Sequence, residues 1–458
     1  MRLPMESLVF DLPENIVKAK LAGEIDLAKE MVETHLKKTN ITPMLRDRLI
    51  VEKELLNRLT IRYRYNREET IAIGKRRIEG FTEEEFDACE KNGDVDFMII
   101  NGEKRYVSSC IGALIQMHTP LYFRQTDKKQ LAENDESEAA RLEMMEKGEL
   151  AYRIKMKHTV HVDDDKFIPG EVYTAHLPIP APAAQQPADK IEIEADSDGF
   201  IAPQDEKQRT VAFKRFMTEN KPFTVTYTYE NRVKYVDPFK DAPQIVYPDV
   251  PAPTADDLSE QAPHGLFTPY LKALAKYIAG DETRPLYLAK RVYDYITQNV
   301  RYSYMRSYIL VEHHAEFTAI NQKGDCGMQA ILFITLCRIL GIPTRWQSGR
   351  TAESTHSGCH DWAQFYTEEF GWLFADPSYG GGAWRKGNMS RWAFYFGNLD
   401  PFRMIANSRY LTNLNPVKRF ERYDPYDNQD GEVECTTRGF DSYDYDGDAE
   451  ILEFEKID

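Results

Sequence analysis

Apolar residues recur at three- and four-residue intervals among many charges in NIVKAKLAGEIDLAKEMVETHLKK and TPMLRDRLIVEKELLNRL. This is the helical period, so residues 1–150 are expected to form a helical module, its clearest helices between Glu14 and His118. The stretch RQTDKKQLAENDESEAARLEMMEKGE is charged and apolar-poor in its first half and reads as a linker or a solvated helix. The period then changes. RIKMKHTVHV and KPFTVTYTYENRVKYV alternate, with Phe223, Val225, Tyr227 and Tyr229 on one face and Thr224, Thr226 and Thr228 on the other, which predicts strands. Between them the Pro-rich LPIPAPAAQQPADK is barred from a central strand. Residues 151–240 therefore predict an antiparallel β-sandwich-like domain, and the prolines of 241–263 an extended connector.

From 264 to 425 the pattern predicts one further domain. FTPYLKALAKYIAG and RPLYLAKRVYDYITQNVRY are amphipathic helices, and KGDCGMQAILFITLCRIL follows them with apolar positions too dense for a surface helix. HDWAQFYTEEFGWLFADPSYGG then reads as strand, turn at EEFG, strand and a Pro/Gly stop. Residues 426–458 are acidic and are expected to form a loosely held tail.

Composition narrows the partners. The 458 residues carry a net charge of −16 without a Lys/Arg cluster, which argues against a nucleic-acid backbone or an anionic membrane as partner. No run of about eighteen apolar residues is present, so no spanning helix is expected. MRLPMESLVFDLPENIVKAK lacks the layout of a signal peptide. The six cysteines have no framework spacing, which predicts reduced thiols and a cytoplasmic location.

The chemistry centres on Cys326, between Gly-Asp and Gly on the first turn of the buried helix. Unpaired N–H groups and the positive dipole end favour an anion there, and a thiolate is the anionic form of cysteine. A thiolate needs a base, and the imidazole a carboxylate to orient it. His360 in CHDWAQFY and Asp376 in FADPSYG can lie side by side if the two strands form a hairpin. Asp361 alternates to the opposite face from His360, which makes Asp376 the preferred partner.

The order and texture of these motifs resemble the transglutaminase-like superfamily, a papain-like group of Cys-His-Asp enzymes. The shared landmarks are Gly324 to Cys326, Gly341-Ile342-Pro343 with Arg345, His360 with Trp362, Gly371-Trp372, and Asp376-Pro377-Ser378. The resemblance covers about Pro285 to Trp392, and Ser378 stands where the family often has Thr. It implies an α+β fold with a papain-like transglutaminase core, here preceded by the sandwich-like domain and the helical module. It also implies Cys326 as nucleophile, His360 as general base and then acid, and Asp376 as the orienting carboxylate. Attack on a peptide or carboxamide carbonyl would give a thioester; water would make the protein a hydrolase of peptides or proteins, and a lysine amine a cross-linking acyltransferase. An amidase removing glycans from asparagine and a protein-binding scaffold are the other readings. No cofactor is implied.

Gln322 and Asn321 are candidate oxyanion donors beside the Cys326 backbone N–H, against ordinary turn chemistry at INQKG. Tyr379 is expected to line the cleft, Trp362 and Trp372 to be core, Gly380-Gly381-Gly382 to form a flexible rim, and His313-His314 to be a surface pair. Zinc on Cys326, His356, Cys359 and His360 is disfavoured because Cys359 and His360 would face opposite ways on a strand, so no metal is expected. DYDGDAEILEFE places Asp444, Asp446, Asp448 and Glu455 at calcium-loop offsets, but Ala449 replaces the required Gly.

Overall fold

The computed structural model describes residues 3–127 and 134–457. Part of the expected linker lies outside the described residues; from Asn134 the chain is helical.

The N-terminal module contains helices α1 (Glu14–Leu21), α2 (Ile25–Leu36), α3 (Pro43–Arg62), α4 (Arg67–Arg77) and α5 (Glu83–Lys91). A hairpin of β1 (Phe97–Ile100) and β2 (Glu103–Tyr106) follows, then α6 (Cys110–Met117), α7 (Thr119–Phe123) and α8 (Asn134–Lys147). Their starts are encoded locally: Asn66 with Glu69, and Thr82 with Glu85, form capping boxes at α4 and α5. The apolar stripes converge on a core that includes Ile16, Val32, Leu56, Phe86 and Leu114.

Strands β3 (Glu149–Val162), β4 (Glu171–Pro178), β5 (Glu192–Ala195), β6 (Gly199–Ile201), β7 (Thr210–Met217) and β8 (Phe223–Lys234) build the second domain. The alternation predicted for β8 is present, with Phe223, Val225, Tyr227 and Tyr229 all buried.

The last domain holds α9 (Pro269–Ala279), α10 (Pro285–Asn299), β9 (Arg301–Tyr302), α11 (His314–Asn321), β10 (Lys323–Gly324) and α12 (Cys326–Ile339). After these come β11 (Thr344–Glu353), β12 (His356–Thr367), β13 (Gly371–Ala375), α13 (Pro377–Arg385), α14 (Met389–Phe394), β14 (Phe396–Gly397) and β15 (Arg403–Asn407). Its sheet runs β14-β13-β12-β11-β15, each pair antiparallel. Helix α12 packs on β12, Phe333 meeting Phe365 edge-on at 6.0 Å.

The C-terminal region departs from expectation. Instead of a loose acidic tail, β16 (Glu432–Cys435) pairs with β4, and β17 (Tyr445–Ile457) pairs with β3 along most of its length. The two sandwich sheets are thus β16-β4-β7-β6 and β17-β3-β8-β5. The acidic side chains of β17 misled the reading because this is an edge strand: Asp446, Asp448 and Glu455 are exposed, whereas Val433, Cys435 and Tyr445 are buried in the sandwich core.

Two smaller expectations are corrected. Gly380 to Gly382 lie within α13, not on a flexible rim, and a Cβ at Gly380 would collide with the Tyr293 hydroxyl. His314 is buried and stacked on His264 with ring centroids 3.6 Å apart, because α11 turns it inward.

The sandwich assignment is testable. Val433→Ala should cost roughly 2 kcal/mol in denaturant unfolding, the loss of buried methyl groups, while exposed Asp448→Asn should change little. Equal, negligible effects would mean the C-terminal strands are not docked.

Candidate active site

Cys326 opens α12, and Asp325 caps it by accepting the Met328 N–H at 3.2 Å. The residues from Cys326 to Cys337 are buried, as the dense apolar text predicts. The thiol donates to Asp361 Oδ2 at 3.2 Å and is also hydrogen-bonded to the Tyr302 hydroxyl. Gly327 makes room for this approach: a Cβ there would stand 2.8 Å from Asp361 Oδ2. Burial, then the charges of Asp361 and Asp325, push the Cys326 thiol well above its ordinary pKa. At neutral pH it is a neutral thiol.

His360 sits on β12 opposite Gly349 of β11, and its Nε2 lies 2.7 Å from Asp376 Oδ2. Asp376 ends the hairpin and caps α13, its Oδ1 accepting from the Tyr379 N–H at 3.0 Å and the Ser378 hydroxyl at 2.9 Å. Arg403 donates to Oδ2 at 3.1 Å and pairs with Asp400 at 2.6 Å. Burial works to raise the Asp376 carboxyl, but His360 and then Arg403 outweigh it and hold it well below the usual carboxylate range. Burial lowers the His360 pKa despite Asp376. The ring is therefore neutral at pH 7, donates Nε2–H to an ionised Asp376 and carries its lone pair on Nδ1.

Of the residues singled out in the sequence, the structure joins His360 to Asp376, while no hydrogen bond joins Cys326 to His360. Tyr379 lies against the imidazole, ring centroids 4.6 Å apart, with the Arg403 guanidinium 4.5 Å above its own ring. Asn321 spends its amide on the Phe317 carbonyl at 2.9 Å, and the Gln322 side chain bonds the Tyr295 hydroxyl. Neither is hydrogen-bonded to Cys326: Asn321 bonds back within α11, and Gln322 bonds across to α10. Cys359 donates to Asp430 at 3.0 Å, apart from His360 on the pleat. Among the described residues no group of three or more His, Cys, Asp or Glu could hold a metal ion.

Sequence reasoning passed over the floor beneath the thiol. Asp361 Oδ1 accepts from Gln429 Nε2 at 2.6 Å, and the same amide reaches the His360 carbonyl at 3.1 Å. Asp361 is hydrogen-bonded to Asp427, which takes the Ser348 hydroxyl. Burial, then Asp427 and Asp325, raise the Asp361 carboxyl well above its ordinary value, and burial brings Asp325 up to about 6. Alternation did separate Asp361 from His360. The missing piece was that α12 covers the Asp361 face, a fact that Phe365, two pleats further on the same face, would have signalled.

The helical module shapes the wall carrying Tyr302. Asp94 pairs with Arg301 at 2.7 Å, and Asp96 with Arg306 at 3.0 Å, on either side of that tyrosine.

A buried helix that begins at Cys326, packed against a sheet that holds a His–Asp pair, is the arrangement of a transglutaminase-like core. Residues 272–377 match the model of the transglutaminase-like superfamily, whose span takes in Cys326, His360 and Asp376. No curated protein matches this chain. Among solved structures, a protein of Cytophaga hutchinsonii described as a candidate cysteine protease is similar at 17% identity and a TM-score of 0.37, over 68% of this chain and 90% of that one. The periplasmic domain of TgpA from Pseudomonas aeruginosa is similar at 15% identity and a TM-score of 0.26, over 55% of this chain and 94% of that one. The chemistry therefore rests on the residues themselves.

Arg403 is fully buried between two carboxylates, so Arg403→Met should destabilise the protein by about 3–5 kcal/mol in chemical unfolding. A loss below about 1 kcal/mol, within the range of exposed pairs, would show that the Asp376–Arg403–Asp400 chain is not formed.

Proposed function

We propose that this chain is a thiol-dependent hydrolase of peptide or carboxamide bonds, with Cys326 as nucleophile, His360 as base and then acid, and Asp376 as the group that orients the imidazole. The observation that carries the reading is the buried 2.7 Å contact between His360 Nε2 and Asp376, on the strand against which the Cys326 helix packs. That contact selects the tautomer whose Nδ1 accepts a proton, which is the state a general base needs.

The reaction requires the sulfur to leave Asp361 Oδ2 and come within reach of His360; the thiol proton then passes to His360 Nδ1 and the sulfur attacks the substrate carbonyl. The developing oxyanion meets the Cys326 backbone N–H at the helix start, with the Tyr302 hydroxyl as a second donor of suitable chemistry. Collapse of the adduct breaks the C–N bond, and imidazolium gives its proton to the departing amine. Water, deprotonated by the same nitrogen, then cleaves the thioester and restores the thiol. Asp376 stays ionised throughout, because Arg403 and the α13 amide stabilise its charge.

The test is mass spectrometry of a peptide library incubated with the wild type, Cys326→Ala and His360→Ala. Cleaved or deamidated peptides should form with the wild type and vanish with Cys326→Ala. His360→Ala should lower the rate about 10²–10⁴-fold. Products unaffected by Cys326→Ala would overturn the reading; incorporation of an added amine in place of water would convert it to acyl transfer.

A further inference from the structure

Asp361 touches the reactive sulfur yet has no part in the reaction just described. It belongs to the strand that bears His360, on the opposite face of the pleat, and it is 7% exposed. Its two oxygens are committed: Oδ2 receives the Cys326 thiol at 3.2 Å and Oδ1 the Gln429 amide at 2.6 Å. The other titratable groups around it come from several packed elements, Tyr410 after β15 among them. Asp325 and Cys326 stand at the start of α12, Tyr308 reaches in from the preceding turn to bond Asp325, and Tyr302 comes from β9. Asp427, with Asp424 behind it, comes from the C-terminal segment. No lysine or arginine is hydrogen-bonded to Asp361, Asp325 or the thiol among the described contacts. Arg422 of the same segment acts on Asp427 through its charge.

We propose that Asp361 is a proton-operated latch on the nucleophile: as a carboxylate it holds Cys326 as a neutral thiol on the face of β12 away from His360, and one proton releases it. This rests on the reading of Cys326 as the nucleophile. The balance is simple. In the latched form S–H donates to a carboxylate. Uptake of one solvent proton by Asp361, within its hydrogen-bonded pair with Asp427, gives a neutral acid that no longer demands the thiol proton. The thiol is then free to give that proton to His360 Nδ1, forming thiolate and imidazolium with no further exchange with solvent. Removing the negative charge also favours the thiolate directly, since a like charge at hydrogen-bond distance opposes it.

The sign follows from the raised carboxyl. A group whose folded pKa lies above its usual value is still taking up protons when ordinary carboxylates are fully ionised. Release therefore occurs as pH falls through the raised titration of Asp361, opposite to the behaviour of an isolated thiol, whose reactivity falls with pH.

The full chain, with Cys359→Ser to silence the exposed thiol, is alkylated with iodoacetamide from pH 5 to 9, and Cys326 labelling is followed by mass spectrometry. The latched protein should show a rise in labelling toward the acid end of this range, separate from the usual alkaline rise. Asp361→Asn, which imitates the protonated form, should label at least tenfold faster at pH 7.5 and lose the acid-side rise. Asp427→Asn lowers the proton affinity of Asp361 and should move that rise to lower pH by about one unit; it serves if Asp361→Asn fails to fold. A labelling profile of Cys326 that is the same with and without these substitutions overturns the proposal. The readout needs no substrate, so absence of peptide turnover counts against the hydrolase reading alone.

Discussion

The arrangement hangs on a carboxylate that has to remain charged in a place without water. Asp376 is fully buried, and an isolated buried carboxylate would take up a proton. It keeps its charge through four donors, the His360 ring, Arg403, the Ser378 hydroxyl and the Tyr379 amide. Each donor comes from a different structural decision. His360 needs the β12–β13 hairpin, Tyr379 needs α13 to begin at Pro377, and Arg403 needs β15 to run beside β11. Conversely, the charge draws these elements to one point. Arg403 would be an unpaired buried cation without Asp376 and Asp400, so the two carboxylates and the guanidinium are mutually obligatory.

The sulfur sits under opposing influences whose sizes decide its state. A helix N-terminus offers an anion about 0.3–1 kcal/mol in exposed settings and up to about 2 kcal/mol when partly buried. Taking an ion out of water costs several kcal/mol, and Asp361 and Asp325 add like-charge repulsion. The dipole loses. A cysteine at a helix start is thus not automatically a thiolate: position supplies a bias, and the neighbouring charges set the outcome. Here the imidazole is prepared on one face of the strand while the thiol is held at the other.

Legibility in the sequence followed the range of the interactions. Local periodicity exposed the helices, the alternation of β8 and the buried character of α12, because each rests on neighbours a few residues away. The hairpin from His360 to Asp376 was legible for the same reason, with EEFG marking the turn. The partner of Cys326 was not, because alternation gives two faces and only tertiary packing says which one a helix covers. Arg403 carried no local signal at all; among many arginines, nothing short of the β11–β15 pairing brings it to Asp376. The acidic stretch at the C-terminus was misread because a charged edge strand and a solvated tail share a composition.

That last misreading bears on how the molecule works as a unit. The segment 427–430 supplies Asp427, Gln429 and Asp430 to the neighbourhood of β12, then runs directly into β16 of the sandwich. On the other side, Arg58 of α3 donates to the carbonyls of Arg422 and Tyr423 at 2.8 and 2.7 Å, just before that segment. Helical module, sandwich and the β11–β15 sheet are therefore tied through one strip of chain whose middle touches Asp361, the carboxyl beside the Cys326 thiol. Gln429 in that strip holds both the Asp361 carboxylate and the His360 carbonyl, while the His360 ring and Asp376 are held from the other side by Arg403 and Asp400.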